Sequence, residues 1–315
     1  MQRWRGVESA PSGWGRCVVT IGVFDGVHRG HQQTIDRAVA RARAASVPSL
    51  VLTFDPHPLE VLRPGSHPPM LTGPRQKAEL LEALGVDVMC VLPFTEELSR
   101  RSADEFVHEV LVERLHATAV VVGENFRYGH KGSGDVASLT AAGRRFGFTV
   151  EGAPLQGSDE TTWSSTYVRS CVDAGDVRGA AAALGRDHRI DGVIVRGDQR
   201  GREIGYPTAN LQPLPWSAVP ADGIYAGRLV RGGGDRLPAA ISIGTNPTFA
   251  GRERRVEAFV LDAAPGLDLY GEHVGLTFVE RLRGTIRYDS VEPLVEQMDR
   301  DVERTRELLA DHPDG

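Results

Sequence analysis

Apolar residues fall into two alternating rhythms along the first half of the chain. Short β-branched runs read as buried strands, and segments with apolar residues three and four apart read as helices. Residues 17–24 form the first such run, and residues 31–45 follow with Ile35, Ala38, Val39 and Ala42 at helical spacing. Ser49-Leu50-Val51-Leu52-Thr53-Phe54 is the next apolar run. Strand, helix and strand within about forty residues make a βαβ unit with parallel strands. The alternation continues through a strand at 86–92, a helix at 103–117, a strand at 118–122, a helix at 135–145 and a last strand at 148–155. The pattern predicts a doubly wound α/β sheet, in which ligands gather beyond the carboxyl ends of strands. The loops 22–31, 55–58 and 123–128 all lie at such ends and are expected to converge on one crevice.

The texture changes after about Arg186. Apolar or alternating runs recur at 190–195, 223–230, 237–243, 255–261 and 273–279, separated by turns rich in Gly, Pro and Asp. Regular short strands without intervening helices predict a closed or nearly closed antiparallel β-barrel. Val291, Leu294, Val295, Met298, Val302 and Leu309 then give a final helix an apolar stripe with which to dock on that barrel. The two textures meet in the alanine-rich stretch 174–187, so the expected domains are 1–185 and 186–315.

Composition narrows the classes without choosing among them. The 315 residues are 41% hydrophobic and 25% charged, ordinary globular values. The net charge of -6 supplies no basic field for nucleic acid, and none is expected as a partner. No uninterrupted apolar stretch reaches the length needed to cross a bilayer, and the amino-terminal residues lack the apolar core of a signal peptide, so no membrane partner is expected. Cys17, Cys90 and Cys171 are an odd, scattered set, as expected of reduced structural thiols in a cytoplasm. A homo-oligomer is compatible with the sequence, which marks no interface.

Candidate chemistry concentrates in Gly22-Val23-Phe24-Asp25-Gly26-Val27-His28-Arg29-Gly30-His31. An apolar run feeds a glycine turn, and two histidines three apart open a helix. Helix N-termini favour anions, and glycines let a backbone approach phosphates closely. By spacing alone the pair could serve nucleotide phosphates, face solvent, or contribute two ligands to zinc, although no third or fourth ligand stands at the usual spacing. Gly132-Ser133-Gly134-Asp135-Val136-Ala137 fits a dinucleotide fingerprint, but no strand directly precedes it and no acidic residue ends a second strand at the expected distance. No G-x-x-x-x-G-K-[ST] phosphate loop occurs, so any kinase activity must use another kind of site.

Phe24 to His31 resembles the H-x-G-H signature of the nucleotidyltransferase superfamily. Thr53-Phe54-Asp55-Pro56-His57-Pro58, Gly123-Glu124-Asn125-Phe126-Arg127-Tyr128-Gly129 and Ser164-Ser165-Thr166-Tyr167-Val168-Arg169 follow in the order seen in the bacterial bifunctional riboflavin kinase/FAD synthetases. Gly205-Tyr206-Pro207-Thr208-Ala209-Asn210 resembles the P-T-A-N motif of riboflavin kinases, and Gly244-Thr245-Asn246-Pro247-Thr248-Phe249, Glu257 and Asp268-Leu269-Tyr270-Gly271 continue that pattern. The resemblance covers nearly the whole chain. It implies a Rossmann-like FMN adenylyltransferase domain followed by a β-barrel riboflavin kinase domain, with ATP, riboflavin and FMN as substrates and Mg²⁺ as cofactor.

Within the first domain the resemblance implies that His28 and His31 bind ATP phosphates and stabilise charge during transfer. Gly22, Phe24 and Asp25 would shape the nucleotide turn, and Asn125 would position the phosphates or the flavin phosphate. Ser165, Thr166 and Arg169 would grip ATP; taken by themselves, they read as an ordinary helix N-cap with an exposed arginine. Asp55, Pro56 and Pro58 would line the flavin side, where Pro chemistry alone predicts a stiff loop. Within the second domain, Gly205, Pro207, Thr208 and Asn210 would bind ATP, with Thr208 and Asn210 also holding Mg²⁺. Asn246 would contact the flavin, and Glu257 would accept the proton of the ribityl hydroxyl. Glu257 shares a strand face with Phe259 and Leu261. Both faces of that strand are largely apolar, so alternation does not say whether Glu257 is buried or solvated. Arg252, Arg254 and Arg255 read as a solvated hairpin. Two other readings stand beside the bifunctional enzyme: a relative with one site retired or redirected to an analogue, and a flavin-binding regulator without turnover.

Overall fold

The computed structural model describes residues 1–158, 161–197, 205–248, 251–264 and 266–312. The chain forms two compact units, one of Met1–Pro68 and Pro74–Trp163, the other of Pro69–Gly73 and Ser164–Gly315.

The first unit is built on a six-stranded sheet ordered β1-β4-β3-β2-β5-β6. Its strands are β1 (Gln2–Arg5), β2 (Cys17–Ile21), β3 (Ser49–Asp55), β4 (Val88–Pro93), β5 (Ala117–Gly123) and β6 (Thr149–Ala153). Every pairing is parallel. Strand order reverses between β2 and β5, so the crevice of a doubly wound sheet opens beyond their carboxyl ends. β2 is buried along its whole length, as a central parallel strand must be. Helix α1 (Arg29–Ala44) lays Thr34, Ile35, Ala38, Val39 and Ala42 against the sheet. Short helices α2 (Pro58–Leu62), α3 (Pro74–Ala83) and α4 (Glu96–Arg100) follow.

The segment expected as one helix over 103–117 is different in detail. A capping box of Ser102 and Glu105 starts α5 (Ala103–Phe106), which continues as π-helical turns over Val107–Arg114 before β5 begins. Helix α6 (Val136–Phe146) has its own capping box of Asp135 and Ser138 and stops at Gly147, whose φ of 85° is the left-handed conformation of a C-cap. The two-residue strands β7 (Gly157–Ser158) and β8 (Thr161–Thr162) pair near the end of the unit.

In the second unit, α7 (Ser165–Ala174) and α8 (Val177–Leu184) precede a closed antiparallel barrel. Its strands are β9 (His188–Val195), β10 (Ala209–Pro213), β11 (Gly223–Val230), β12 (Arg236–Thr248), β13 (Gly251–Val260) and β14 (His273–Arg283). Ile190, Ile194, Leu211, Tyr225, Ile241, Val256, Ala258 and Phe278 fill the interior.

The terminal helix, α9 (Val291–Ala310), docks by polar contacts more than by its apolar stripe. Leu294, Val295, Met298 and Val302 are only half-buried and Val291 is exposed, whereas Asp301, Thr305 and Leu309 are buried. Asp301 accepts two bonds from Arg283 of β14, at 3.0 Å from Nε and 2.6 Å from Nη2. Buried Arg228 of β11 donates to the carbonyls of Leu309 and His312, placing a cation at the negative end of the helix. Asp301→Ala would leave half-buried Arg283 without its counter-ion, an expected loss of about 2–3 kcal/mol, between that of an exposed pair and that of a fully buried one. Denaturant unfolding followed on the barrel transition checks this, and a loss below about 1 kcal/mol, the size of an exposed pair, would contradict it.

Candidate active sites

The first site grows from the turn after β2. Phe24 and Val27 adopt φ of 49° and 40°, left-handed conformations that cost a non-glycine residue about 1–3 kcal/mol. Surrounding contacts hold them there. Phe24, Asp25 and Val27 are buried. The Val23 carbonyl accepts one bond from Thr53 Oγ1 at 3.1 Å and another from Lys77 Nζ at 2.8 Å. The Gln32 amide donates to the Val27 carbonyl at 2.8 Å.

His28 is the N-cap of α1. Its Nδ1 accepts the His31 backbone N–H at 3.4 Å, so the ring proton of neutral His28 sits on Nε2. The two imidazoles stack with centroids 3.6 Å apart, and the Phe24 ring meets His31 edge-on at 5.2 Å. Gly30 lets the turn stay this tight, since a Cβ there would stand 3.2 Å from the His28 ring. Two imidazoles and the first backbone N–H groups thus share the positive end of a 16-residue helix, the arrangement that suits an anionic phosphate chain.

Two more loops end neighbouring strands. Asp55 closes β3 exposed to solvent, its bond to Pro56 is cis, and His57 N-caps α2, in which Pro58 is the first residue. Asn125 follows β5 and is exposed, beside Gly123, where a Cβ would stand 3.2 Å from Asn125 Oδ1. Arg127 reaches Asp135 at 3.5 Å. Ser165, Thr166 and Arg169 belong to the other compact unit: they lie on α7, which Ser164 caps, and Arg169 Nε donates to the Pro69 carbonyl at 2.7 Å. The first unit by itself therefore holds His28, His31, Asp55 and Asn125 but not this segment.

The second site lies on the outer wall of the barrel. Val256, Ala258 and Val260 point into the core, so Glu257 and Phe259 point outward, half-buried. Thr208 Oγ1 donates to Glu257 Oε2 at 3.2 Å. Asn210 of β10 is the direct cross-strand neighbour of Glu257, and Ser242 of β12 is its neighbour on the other side. A hydroxyl, an amide and a carboxylate are thereby gathered on one surface, an oxygen-rich set that fits a hard cation keeping waters and phosphate oxygens as its other ligands. Gly205 precedes them at φ 88°, a turn that favours glycine. Pro207 follows Tyr206, whose ring packs on Phe259 at 5.0 Å while its hydroxyl donates to Asp299 of α9.

Gly197 makes room for Asn210, because a Cβ at 197 would overlap the Asn210 amide. Gly197→Ala is therefore expected to lower the phosphoryl transfer that the P-T-A-N resemblance implies for this site about 10-fold or more, a misplacement effect, with unfolding unchanged. Steady-state rates at saturating ATP check it, and a native rate would show that the amide position is unimportant.

Arg254, expected in a solvated hairpin, is exposed there and is also tied down. It donates to the Val219 carbonyl at 3.1 Å and reaches Asp222 at 3.3 Å, and Asp222 accepts Thr245 Oγ1 at 2.7 Å. The backbone of Asn246 pairs with Glu253 in the β12–β13 ladder, while its side chain and Phe249 lie outside the described residues.

The FAD synthetase family model matches residues 10–167, and the riboflavin kinase family model matches residues 184–309. The bifunctional riboflavin kinase/FMN adenylyltransferase of Escherichia coli K12 is 35% identical over 93% of this chain and 93% of its own. That of Pseudomonas fluorescens is 39% identical over 98% of both chains. The chain belongs to the bifunctional riboflavin kinase/FMN adenylyltransferase family. Family membership matches the two sites to two modules, the histidine turn falling in the FAD synthetase match and the Thr208–Glu257 pair in the riboflavin kinase match. A crystal structure described as a macrolide-efflux protein from Streptococcus pneumoniae superposes with a TM-score of 0.88 at 31% identity, covering 97% of this chain and 99% of that one. Among the described residues no helix is long and apolar enough to cross a membrane.

Proposed function

We propose that the chain makes FAD from riboflavin in two ATP-dependent steps, with the functional division between residues 185 and 186. At the barrel, Glu257 accepts the proton of the flavin ribityl hydroxyl as that oxygen attacks the γ-phosphorus. The new O–P bond gives FMN, and the bond to the β-phosphate oxygen breaks to release ADP. Thr208 and Asn210 orient the ATP phosphates and are the side chains that would hold Mg²⁺, with Gly205 and Pro207 shaping the ATP turn. When bound, Mg²⁺ would neutralise phosphate charge.

At the histidine turn, the FMN phosphate attacks the α-phosphorus of a second ATP, and pyrophosphate leaves. Nucleotidyl transfer needs charge neutralisation and alignment rather than a protein nucleophile. His28 Nε2–H, His31 and the N-terminus of α1 supply that here. Gly22, Phe24 and Asp25 shape the turn, Asn125 orients phosphate, Asp55, Pro56 and Pro58 line the flavin side, and Asn246 contacts flavin at the kinase site. Ser165, Thr166 and Arg169 keep the ATP-binding role that the family resemblance implies for them. The buried free thiols Cys17, Cys90 and Cys171 support a reducing, cytoplasmic setting.

The observation that carries this reading is the stacked His28–His31 pair at the start of α1, beside the switch point of the sheet. Incubating the protein with riboflavin, ATP and Mg²⁺ and resolving flavins by chromatography tests it. FMN should rise and then give way to FAD. FMN without FAD would mark a retired adenylyltransferase, and unchanged riboflavin would mark a binding protein without turnover.

A further inference from the structure

Helix α3 buries a lysine directly under the histidine turn. Lys77 is only 7% exposed and sits on the helix face shared with Ala78 and Leu81, which pack in an apolar cluster with Phe24, Val27, Ile35 and Val51. Lysine is almost never buried this fully without partners, because taking an ammonium out of water is costly. A methionine would fill similar volume at no electrostatic cost, so core packing does not explain the charge. What the ammonium holds is the Val23 carbonyl, at 2.8 Å. Thr53 takes the other lone pair of that oxygen at 3.1 Å, so the last peptide before left-handed Phe24 is fixed from two directions. Phe24 in turn sets its ring edge against His31.

We infer that Lys77 is a positioning residue for adenylyl transfer, anchoring the Val23–Phe24 turn so that His31 and Asp25 stand ready for the nucleotide. The inference rests on the reading of the histidine turn as the adenylyl-transfer site. The charged groups facing Lys77 fit the role: Asp25 and Asp55 both favour its ammonium, although burial wins and lowers its pKa. One buried cation thus feels the charge of two acidic residues, Asp25 and Asp55, that come from different strand ends.

The test is a double-mutant cycle in the full chain, read as FAD formation from supplied FMN and MgATP. Lys77→Met is expected to lower the rate about 100-fold, the scale of a displaced catalytic group. Riboflavin kinase activity in the same preparation should be unchanged. Because Lys77 acts through His31, Lys77→Met should add little to the loss caused by His31→Ala. A lysine that merely keeps the unit folded would multiply its own loss onto that of His31→Ala, and this result would overturn the inference. A native FAD rate in Lys77→Met would do the same. Should Lys77→Met fail to fold, Lys77→Gln, which keeps a shorter donor, is measured in the same cycle with the same two outcomes. If His31→Ala makes FAD at the native rate, the reading of the histidine turn falls, and the role of Lys77 falls with it. If His31→Ala is impaired and Lys77→Met is native, only the role of Lys77 falls.

Discussion

Glu257→Ala is expected to cut FMN formation from riboflavin by about 10³-fold, the range of a lost general base, while FAD formation from supplied FMN proceeds unchanged. The geometry gives a reason for both halves. Glu257 projects from the outer wall of the barrel and contributes nothing to the interior, so its removal costs little stability. Its carboxylate accepts from Thr208 at 3.2 Å, so the Ala variant also releases Thr208 from its partner. Glu257→Gln separates the two effects, because the amide can keep an acceptor for Thr208 but cannot take up a proton. Equal loss of FMN formation in both variants assigns the effect to proton transfer. Substantial activity in Glu257→Gln would assign it to the position of Thr208. Loss of both FMN and FAD formation in a folded variant would defeat the division into two sites.

The paired variant His28→Ala with His31→Ala has the opposite expected profile. FAD formation should fall by at least about 10³-fold, since removing one preorganised electrostatic group alone costs about 10²–10³, and riboflavin kinase activity should persist. Part of the structural cost is predictable. His28 caps α1, and losing a cap costs about 1 kcal/mol. His28→Asn keeps a capping side chain without the imidazole, so a large loss of FAD formation there isolates the catalytic contribution. Parallel measurement of FMN and FAD by chromatography checks each variant, and native FAD formation in the double variant would remove the histidine turn from the mechanism.

The parts of this molecule that were legible from sequence are those where pattern and burial agree. β2, β3, β4 and β5 are apolar runs because they are buried parallel strands, and the apolar pattern marks each to within a few residues. β1 was not, because only Trp4 of its four residues is buried and the rest are polar. β10 was hidden inside the P-T-A-N motif, where Asn210 and Gln212 interrupt any apolar rhythm. Helix α3 gave no readable stripe because Gln76 and Lys77 lie on its buried face. A buried lysine looks like a solvated one until the fold is known, so the sequence does not mark Lys77 for the same reason. Terminal helix α9 shows the converse: its apolar stripe is legible but mostly only half-buried, and Asp301 ties the helix to Arg283 instead. At the sites, motif order identified the histidine turn and Glu257. It could not say which face Glu257 occupies, because Val256, Ala258 and Val260 on one side and Phe259 on the other are all apolar.

Mixing the two crippled proteins tests the two-site account most directly. Glu257→Ala lacks the first step and His28→Ala with His31→Ala lacks the second, so neither alone should convert riboflavin to FAD. Incubated together with riboflavin, ATP and Mg²⁺, they should make FAD through free FMN, with one ADP and one pyrophosphate released per FAD. If the mixture makes no FAD while each variant still performs its own remaining step, FMN does not pass through solution between two independent sites. If either variant alone makes FAD from riboflavin, the residues are assigned to the wrong steps and the account is contradicted.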